Sequence, residues 1–415
     1  MTPSHAACRA SEVTVATDGG TLDHATRLRR LGEVLEAWHS VWQPLPFQHP
    51  LLPWEADHGE LAAALRDLSD AEAERLQDAP LSASALSQWL PVEELATLVE
   101  LPDLAAGGEP TLPDGWGVFV GGRKWRQIQA FAPLVSADRP LLEWCAGKGH
   151  LARGLARWHD RPVDALEWQP ALCEAGGALA YHQSAAVRLH QQDVMAADAE
   201  CWLNEERRVM ALHACGDLHV RLLHLAARRR GAVTLAPCCY QRTADAWYQP
   251  ISCQARREMN WSMSRDDLAM AVQETVTAPG KVRRERRLAN AWRLGFDALQ
   301  RSLTGRDRYL PVPSLAYGQL PTTFAGFCRW AGERKAVELP GTIDWAAHEA
   351  EGWRRLAEVT RLELVRHVFR RPLEVWLALD RVRLMEEAGF DVRLGTFCDR
   401  QLTPRNLVIE AEPWA

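Results

Sequence analysis

Three acidic residues close three short apolar runs: Glu143 in Pro140–Trp144, Glu167 in Val163–Trp168 and Asp193 in Val187–Val194. Between the first two runs lies Cys145-Ala-Gly-Lys-Gly-His-Leu151. Gly147 and Gly149 suit a tight turn that a bound group must approach along the main chain, and the helix opening at His150 offers unpaired N–H groups. A strand, a glycine turn and a helix in this order form the nucleotide-cradling corner of a doubly wound sheet. Two ligands compete for it. Gly147-x-Gly149-x-x-Ala152 satisfies the dinucleotide fingerprint, with Glu167 about twenty positions on. A carboxylate at Glu143, however, suits a ligand with an amino group, such as S-adenosylmethionine. Glu167 can accept both ribose hydroxyls, which NAD also demands, and Asp193 can take the adenine amino group. The expected cofactor set is Glu143, Cys145, Gly147, Gly149, His150, Glu167, Trp168, Asp193, Val194 and His213.

A second group of reactive side chains ends the next two runs, His213-Ala-Cys215-Gly-Asp217 and Pro237-Cys238-Cys239-Tyr240. Three chemistries compete. Methyl transfer from a sulfonium is an in-line displacement that needs positioning and proton removal; His213 or Asp217 would be the base and Tyr240 would orient the acceptor. Alternatively, Cys238 attacks a pyrimidine ring, which requires a cationic neighbour to activate it. As a third reading, His213, Cys215, Cys238 and Cys239 bind zinc, although adjacent cysteines are unlike the usual closed site. The methyl-transfer pocket is the favoured reading, with His213, Asp217, Cys238, Cys239 and Tyr240 as its catalytic side chains and no metal assigned. The Asn/Asp-Pro-Pro-aromatic pattern of amino-group methylases is absent.

The elements that must hold these residues follow from apolar spacing. Strands at Pro140–Trp144, Val163–Trp168, Val187–Val194, Arg208–Ala214 and Ala232–Pro237 alternate with helices at Leu151–Trp158, Pro170–Tyr181 and Leu218–Arg229, which implies a parallel sheet with right-handed crossovers. Leu373–Glu387 reads as a helix, and Asp391–Phe397 and Asn406–Glu410 as a closing antiparallel pair. Nicotinamide domains do not usually end this way, so NAD becomes the second choice. Residues 1–115 read as a helical region: a loose tail to about residue 21, then helices over Leu22–Trp42, Glu60–Leu68, Asp70–Leu76 and from Pro91 to about Glu100. Ser69 and Glu72 form a capping box there. A joint follows at Gly107–Gly117. Residues 116–240 and 372–415 form the cofactor domain. A mostly helical insertion, 241–371, is expected to act as a lid, with helices at Asp266–Thr275, Arg287–Leu303 and Trp345–Phe369.

The 415 residues carry a formal charge of −6, which argues against gripping nucleic acid with the whole surface but leaves room for local patches. Lys281-Val-Arg283-Arg284-Glu-Arg286-Arg287 is the main basic cluster; Arg228–Arg230 and Arg366/Arg370/Arg371 are smaller. Trp292 and Tyr309 nearby either stack bases or pack. Arg123 and Lys124 form a basic turn ahead of the cofactor corner, able to meet an anionic substrate. No apolar run reaches the roughly 18 residues of a membrane span, and Met-Thr-Pro-Ser-His lacks a signal pattern. Ten cysteines without a C-x-x-C pair read as reduced thiols of a cytoplasmic protein.

Taken together, Cys145–Leu151, His213-Ala-Cys-Gly-Asp-Leu218, Pro237-Cys-Cys-Tyr240 and Leu402-Thr-Pro-Arg-Asn-Leu407 resemble one group of class I methyltransferases. These are the methyltransferase-like proteins once named for a ribosomal-RNA adenine dimethylase domain, whose wider family includes enzymes that methylate a ribose in the tRNA acceptor stem. That group carries Lys-Lys-x-His-Glu before the glycine turn. Here Lys124 matches while Arg126 and Gln127 depart, so no role passes to those two. Cys145 stands in place of the first glycine of the turn. The resemblance covers about Arg123 to Ile409. It implies a Rossmann-like α/β sheet with S-adenosylmethionine as cofactor, and it leaves the acceptor open. The expected function is methylation of RNA through Arg123, Lys124, Arg283, Arg284, Arg286 and Arg287. The alternatives are a protein acceptor or a non-catalytic module that keeps the cofactor fold.

Overall fold

The computed structural model describes residues 22–105, 115–117, 119–273, 280–316 and 318–415. The expected N-terminal tail, most of the joint at Gly107–Gly117 and the end of the helix at Asp266–Thr275 lie outside them. The described chain falls into two compact units. One comprises residues up to Glu36, Leu98–Gln273 and Pro372–Ala415; the other comprises Ala37–Thr97 and Glu274–Arg371.

The first unit is built on a seven-stranded sheet: β1 (Leu141–Glu143), β2 (Val163–Glu167), β3 (Val187–Gln191), β4 (Arg208–Ala211), β5 (Ala232–Leu235), β6 (Phe390–Thr396) and β7 (Leu407–Pro413). Their spatial order is β3-β2-β1-β4-β5-β7-β6. The first five strands run parallel, while β7 pairs antiparallel with both β5 and β6. This is the doubly wound sheet with an antiparallel closing pair that the sequence implies. The central strands β1, β4 and β5 are buried at every position, as expected where helices cover both faces. By contrast, β6 alternates, with Phe390, Val392 and Leu394 inward and Asp391 and Arg393 outward. Its free edge is partly covered: Leu104 N donates to Thr396 O at 2.8 Å and Thr396 N to Pro102 O at 3.0 Å.

Between β1 and β4 the chain changes direction across the sheet. In such sheets a ligand lies at the carboxyl ends of the strands at that switch point. Here those ends are Glu143 and the loop that follows it, Ala211–Cys215, Glu167 and Leu235–Cys239.

The C-terminal helix differs from expectation. Trp345–Phe369 and Leu373–Glu387 form one continuous helix, Trp345–Glu387, with Pro372 inside it. Proline removes one backbone donor there, but Val368, Phe369, Leu373 and Val375 around it are all fully or almost fully buried, and that burial outweighs the lost bond. Helices at Cys253–Glu258 and Phe324–Lys335 are absent from the sequence reading. The first spans only six residues; Ser252 and Thr323 cap the two, their side chains accepting from Ala255 N and Gly326 N. The capping box of Ser69 and Glu72 is present, with Glu72 N donating to Ser69 Oγ at 3.3 Å.

In the second unit, the helix Gly280–Thr304 crosses the helix that begins at Trp345 through two glycines. A Cβ on Gly352 would lie 2.3 Å from Ala291 O, and one on Gly295 would lie 2.7 Å from His348 O. Only glycine lets these backbones approach so closely. Gly352→Ala is therefore expected to destabilise the chain by about 1–3 kcal/mol, the usual cost of overpacking, read as a lower midpoint in urea unfolding.

Candidate functional site

The corner after β1 holds three positive backbone φ angles within five residues: 58° at Cys145, 59° at Gly147 and 63° at Gly149. Gly149 then caps the helix His150–His159. Two carboxylates fix this turn. Glu143 Oε2 accepts from Ala152 N at 2.9 Å, which ties the tip of β1 to the first turn of the helix. Glu167, at the tip of β2, accepts from Gly147 N at 2.9 Å through Oε2 and from Gln169 N at 3.0 Å through Oε1. Both side chains are buried. Each bonded oxygen keeps a second lone pair, so the turn is held without exhausting the carboxylates.

Burial dominates Glu143, pushing its pKa from 4.5 up to about 7; the Ala152 N–H, Lys124 and Arg153 pull the other way. His150 is driven down to about 4 by burial and by the charges of Arg153, Lys124 and Lys148. Its ring bonds Arg153, itself almost wholly buried and bonded to Gln183. Asp193 is exposed and closes its own turn by accepting from Met195 N at 2.9 Å. Val194 is buried, whereas Trp168 is 64% exposed beyond Glu167. The acidic charges of Glu167, Glu143 and Asp193 and the Cys215 thiol all act on Cys145, whose thiol burial raises to about 12.

The tips of β4 and β5 form the other wall. Cys215 and Cys238 pair in an isolated parallel bridge, and their sulfurs are 3.3 Å apart. Cys239 turns back with a φ of 47°, so that the three sulfurs all lie within 4.8 Å of one another. Thiol donation from Cys215 and Cys238, helped by Arg405 and Arg242, pulls the Cys239 pKa far down, while Cys215 and Cys238 are raised. His213 lies at the solvent-facing end of β4 among protein groups, and burial with the charges of Lys124 and Arg405 lowers it to about 4. It does not join the sulfur cluster. Asp217 opens the helix Asp217–Arg229 and accepts from Ala244 N at 2.7 Å, stapling the loop after β5.

Tyr240 is only 2% exposed, and the Arg381 guanidinium lies over its ring at 4.7 Å. Arg381 belongs to a buried network that the sequence reading missed. It donates to His219 Nε2 at 3.0 Å and to the Tyr248 hydroxyl at 2.9 Å. His219 Nδ1 lies 3.0 Å from Ala214 O. That bond fixes the neutral tautomer with Nδ1 donating, and burial beside Arg381 lowers the His219 pKa to about 3. Asp380 accepts from the Tyr248 hydroxyl and from Ile251 N and Ser252 N. An Asp-Arg pair inside the otherwise apolar Val375-Trp-Leu-Ala-Leu-Asp-Arg-Val382 was the available clue, because charges on such a face are rarely buried unpaired.

Of the basic residues, Arg123 and Lys124 are exposed at the start of the helix Gly122–Phe131, and Lys124 is the cation felt by Glu143, His150 and His213. Arg283, Arg284, Arg286 and Arg287 are exposed in the second unit. The smaller clusters are partly absorbed structurally: Arg228 and Arg229 pair with Glu200, and Arg366 is buried against the carbonyls of Trp42 and Gln43. Trp292 packs in a core with Phe324 and Phe327 and donates to Glu349 at 2.8 Å. Tyr309 sits edge-on to Phe47. The reading of all ten cysteines as reduced thiols fails at Cys253, which is disulfide-bonded. No helix among the described residues is long and apolar enough to cross a membrane.

Because Glu143 is protonated more readily in the folded chain, its contribution to stability is present below about pH 4.5 and is lost as pH rises through about 7. The loss amounts to roughly 3 kcal/mol for an acid shifted this far. Melting temperature should therefore fall between about pH 4.5 and pH 7, and Glu143→Gln should flatten that slope in thermal unfolding.

Residues 123–246 match the family described as a methyltransferase domain. No curated protein matches the chain. Solved structures similar to it include the fibrillarin/Nop5p complex, at 17% identity over 30% of this chain and 64% of that one, with a TM-score of 0.25. Others are the CcbJ methyltransferase from Streptomyces caelestis, at 20% identity over 31% and 58% with a TM-score of 0.23, and coclaurine N-methyltransferase bound to N-methylheliamine and SAH, at 12% over 44% and 62% with a TM-score of 0.23. The chain spans less than two thirds of the length of each. The domain match points to S-adenosylmethionine as the cofactor, and the donor set fits it: a buried carboxylate for an amino group, a second carboxylate beside the turn, and a turn with little side chain to obstruct approach.

Proposed function

We propose that the chain is an S-adenosylmethionine-dependent methyltransferase acting on RNA. The observation that carries the cofactor half is the turn at Cys145–Gly149, pinned by the carboxylates of Glu143 and Glu167 at the point where the sheet order reverses. When bound, S-adenosylmethionine supplies an electrophilic methyl on a sulfonium. Glu143 would hold its amino group, Glu167 its ribose and Asp193 its adenine.

The chain's own chemistry is then positioning and proton handling. His213, kept neutral at physiological pH chiefly by burial and further by the Lys124 and Arg405 charges, accepts a hydrogen bond from an incoming nucleophile. Tyr240 holds the end of β5 in place through its stack on Arg381. Support for an RNA acceptor comes from the exposed run Lys281–Arg287 and from Arg287, whose guanidinium lies 5.9 Å from the ring of the partly exposed Trp353. A basic segment beside an aromatic face suits a phosphate backbone carrying stackable bases.

Binding should couple to Glu143. Affinity for S-adenosylmethionine is expected to rise about tenfold between about pH 6 and pH 8 as this carboxyl ionises, and Glu143→Gln should remove the dependence in calorimetric titrations. Gly149→Arg is expected to abolish binding, since Gly149 has a φ of 63° and caps the cofactor helix. Unchanged affinity in Gly149→Arg would place the cofactor elsewhere. For the acceptor, mass spectrometry of RNA nucleosides and of peptides from cells with and without the protein should show one methylated nucleoside lost. Loss of a peptide mark alone would replace RNA with protein, and loss of neither would favour a non-catalytic module.

A further inference from the structure

Cys215, Cys238 and Cys239 are more than the methyl-transfer geometry requires. Their sulfurs come from two neighbouring strand tips and gather on one side of the sheet end, each within 4.8 Å of the other two. The gathering is built into the backbone. Gly216 N donates to Cys238 O at 3.3 Å, so the β4 and β5 tips remain paired beyond the strands. A Cβ on Gly216 would lie 1.8 Å from Arg242 O, and glycine alone lets the loop after β5 fold back so tightly. That loop is closed by Arg242 N donating to Cys239 O at 2.9 Å, which holds Cys239 at a φ of 47°. A non-glycine residue in that region is strained, and such strain persists where the surroundings impose it, commonly at ligand sites. Here its effect is to carry the third sulfur to the other two.

We propose that Cys215, Cys238 and Cys239 bind one zinc ion as three thiolates, with the fourth coordination position left to solvent or to an acceptor atom. Zinc–sulfur bonds of about 2.3 Å in a tetrahedral site set sulfur–sulfur separations near 3.8 Å. The observed cluster, with Cys215 and Cys238 at 3.3 Å and all three within 4.8 Å, needs only small side-chain adjustment to reach that spacing. Binding displaces the protons still held by the thiols to solvent and involves no electron transfer. Three thiolates around a dication carry a net charge of −1, and the guanidiniums of Arg242 and Arg405 act on the cluster from the two flanking loops to offset it. Thiolate ligands select zinc over hard cations such as magnesium or calcium. Three protein ligands rather than four match the zinc sites that keep an open position. His213, on the solvent side, is not one of the ligands.

The test uses the full-length chain, purified under reducing conditions, stripped with a chelator and titrated with Co²⁺ and Zn²⁺. One equivalent of cobalt should give thiolate-to-metal charge-transfer absorption, and zinc should displace it. Cys215→Ser and Cys239→Ser should each weaken binding at least tenfold, while Cys173→Ser should bind as the unmodified chain does. In the unmodified chain, zinc should protect Cys215, Cys238 and Cys239 from alkylation and leave Cys173 and Cys201 reactive, so the result does not depend on a variant folding. Absence of the absorption band, absence of that protection, or a Cys215–Cys238 disulfide formed in place of metal binding would overturn the proposal. S-adenosylmethionine titrations on the same preparations report the cofactor site separately, so failure of one reading is distinguishable from failure of the other.

Discussion

The geometry of the site depends on a carboxylate that has been taken out of water. Glu143 ends a three-residue strand that is buried throughout, and its carboxylate accepts from the backbone of the helix nine positions later. That bond and the matching one from Glu167 to Gly147 hold the turn in a conformation with three positive φ angles, which few residues accept unaided. Desolvation makes the carboxyl hold its proton to about pH 7, so the group that shapes the corner is also the one whose charge changes near neutrality. An incoming cationic group would relieve that desolvation by pairing with it. The same residue can therefore pre-form the turn and recognise a ligand.

The opposite wall depends on a network buried behind it. Arg381 stacks on Tyr240, bonds His219 and Tyr248, and stays charged beside Asp380 in the first unit. His219 in turn engages the carbonyl of Ala214, inside the β4 tip. A buried guanidinium is tolerated there because its donors have acceptors and its face has aromatic rings. The network fixes the shape of the tips that carry the cysteines; His213 is exposed there, Cys215 and Cys239 are partly exposed and Cys238 is buried.

Much of this was legible in the sequence, because the informative patterns were local. Runs of five to eight residues, each closed by an acid, located β1, β2 and β3, the helical periods after the first two located their helices, all to within a few residues, and the closing pair gave β6 and β7. The positions of Glu143, Glu167, Gly147 and Gly149 followed from the same local rule. Interactions that join distant segments left little trace. Asp380 and Arg381 are about 130 positions from Tyr248 and the backbone they bond, and nothing within either segment announces the other. Pro372 misled for the opposite reason: a local helix breaker was overridden by burial on both sides of it. The basic residues were the least legible, since only contacts separate Arg366, enclosed by carbonyls, from the exposed Arg283.

The Arg381 network has a consequence for the order in which the molecule can be completed. Strands β1 to β5 and their connecting helices are contiguous in the chain and pair chiefly with near neighbours, whereas the ring of Tyr240 is seated by a side chain from the last tenth of the polypeptide. During synthesis the cofactor corner can take shape while the ribosome is still translating the middle of the message. The cysteine-bearing wall must wait for the final helix and strands, so the half that would receive the donor matures before the half that would receive the acceptor.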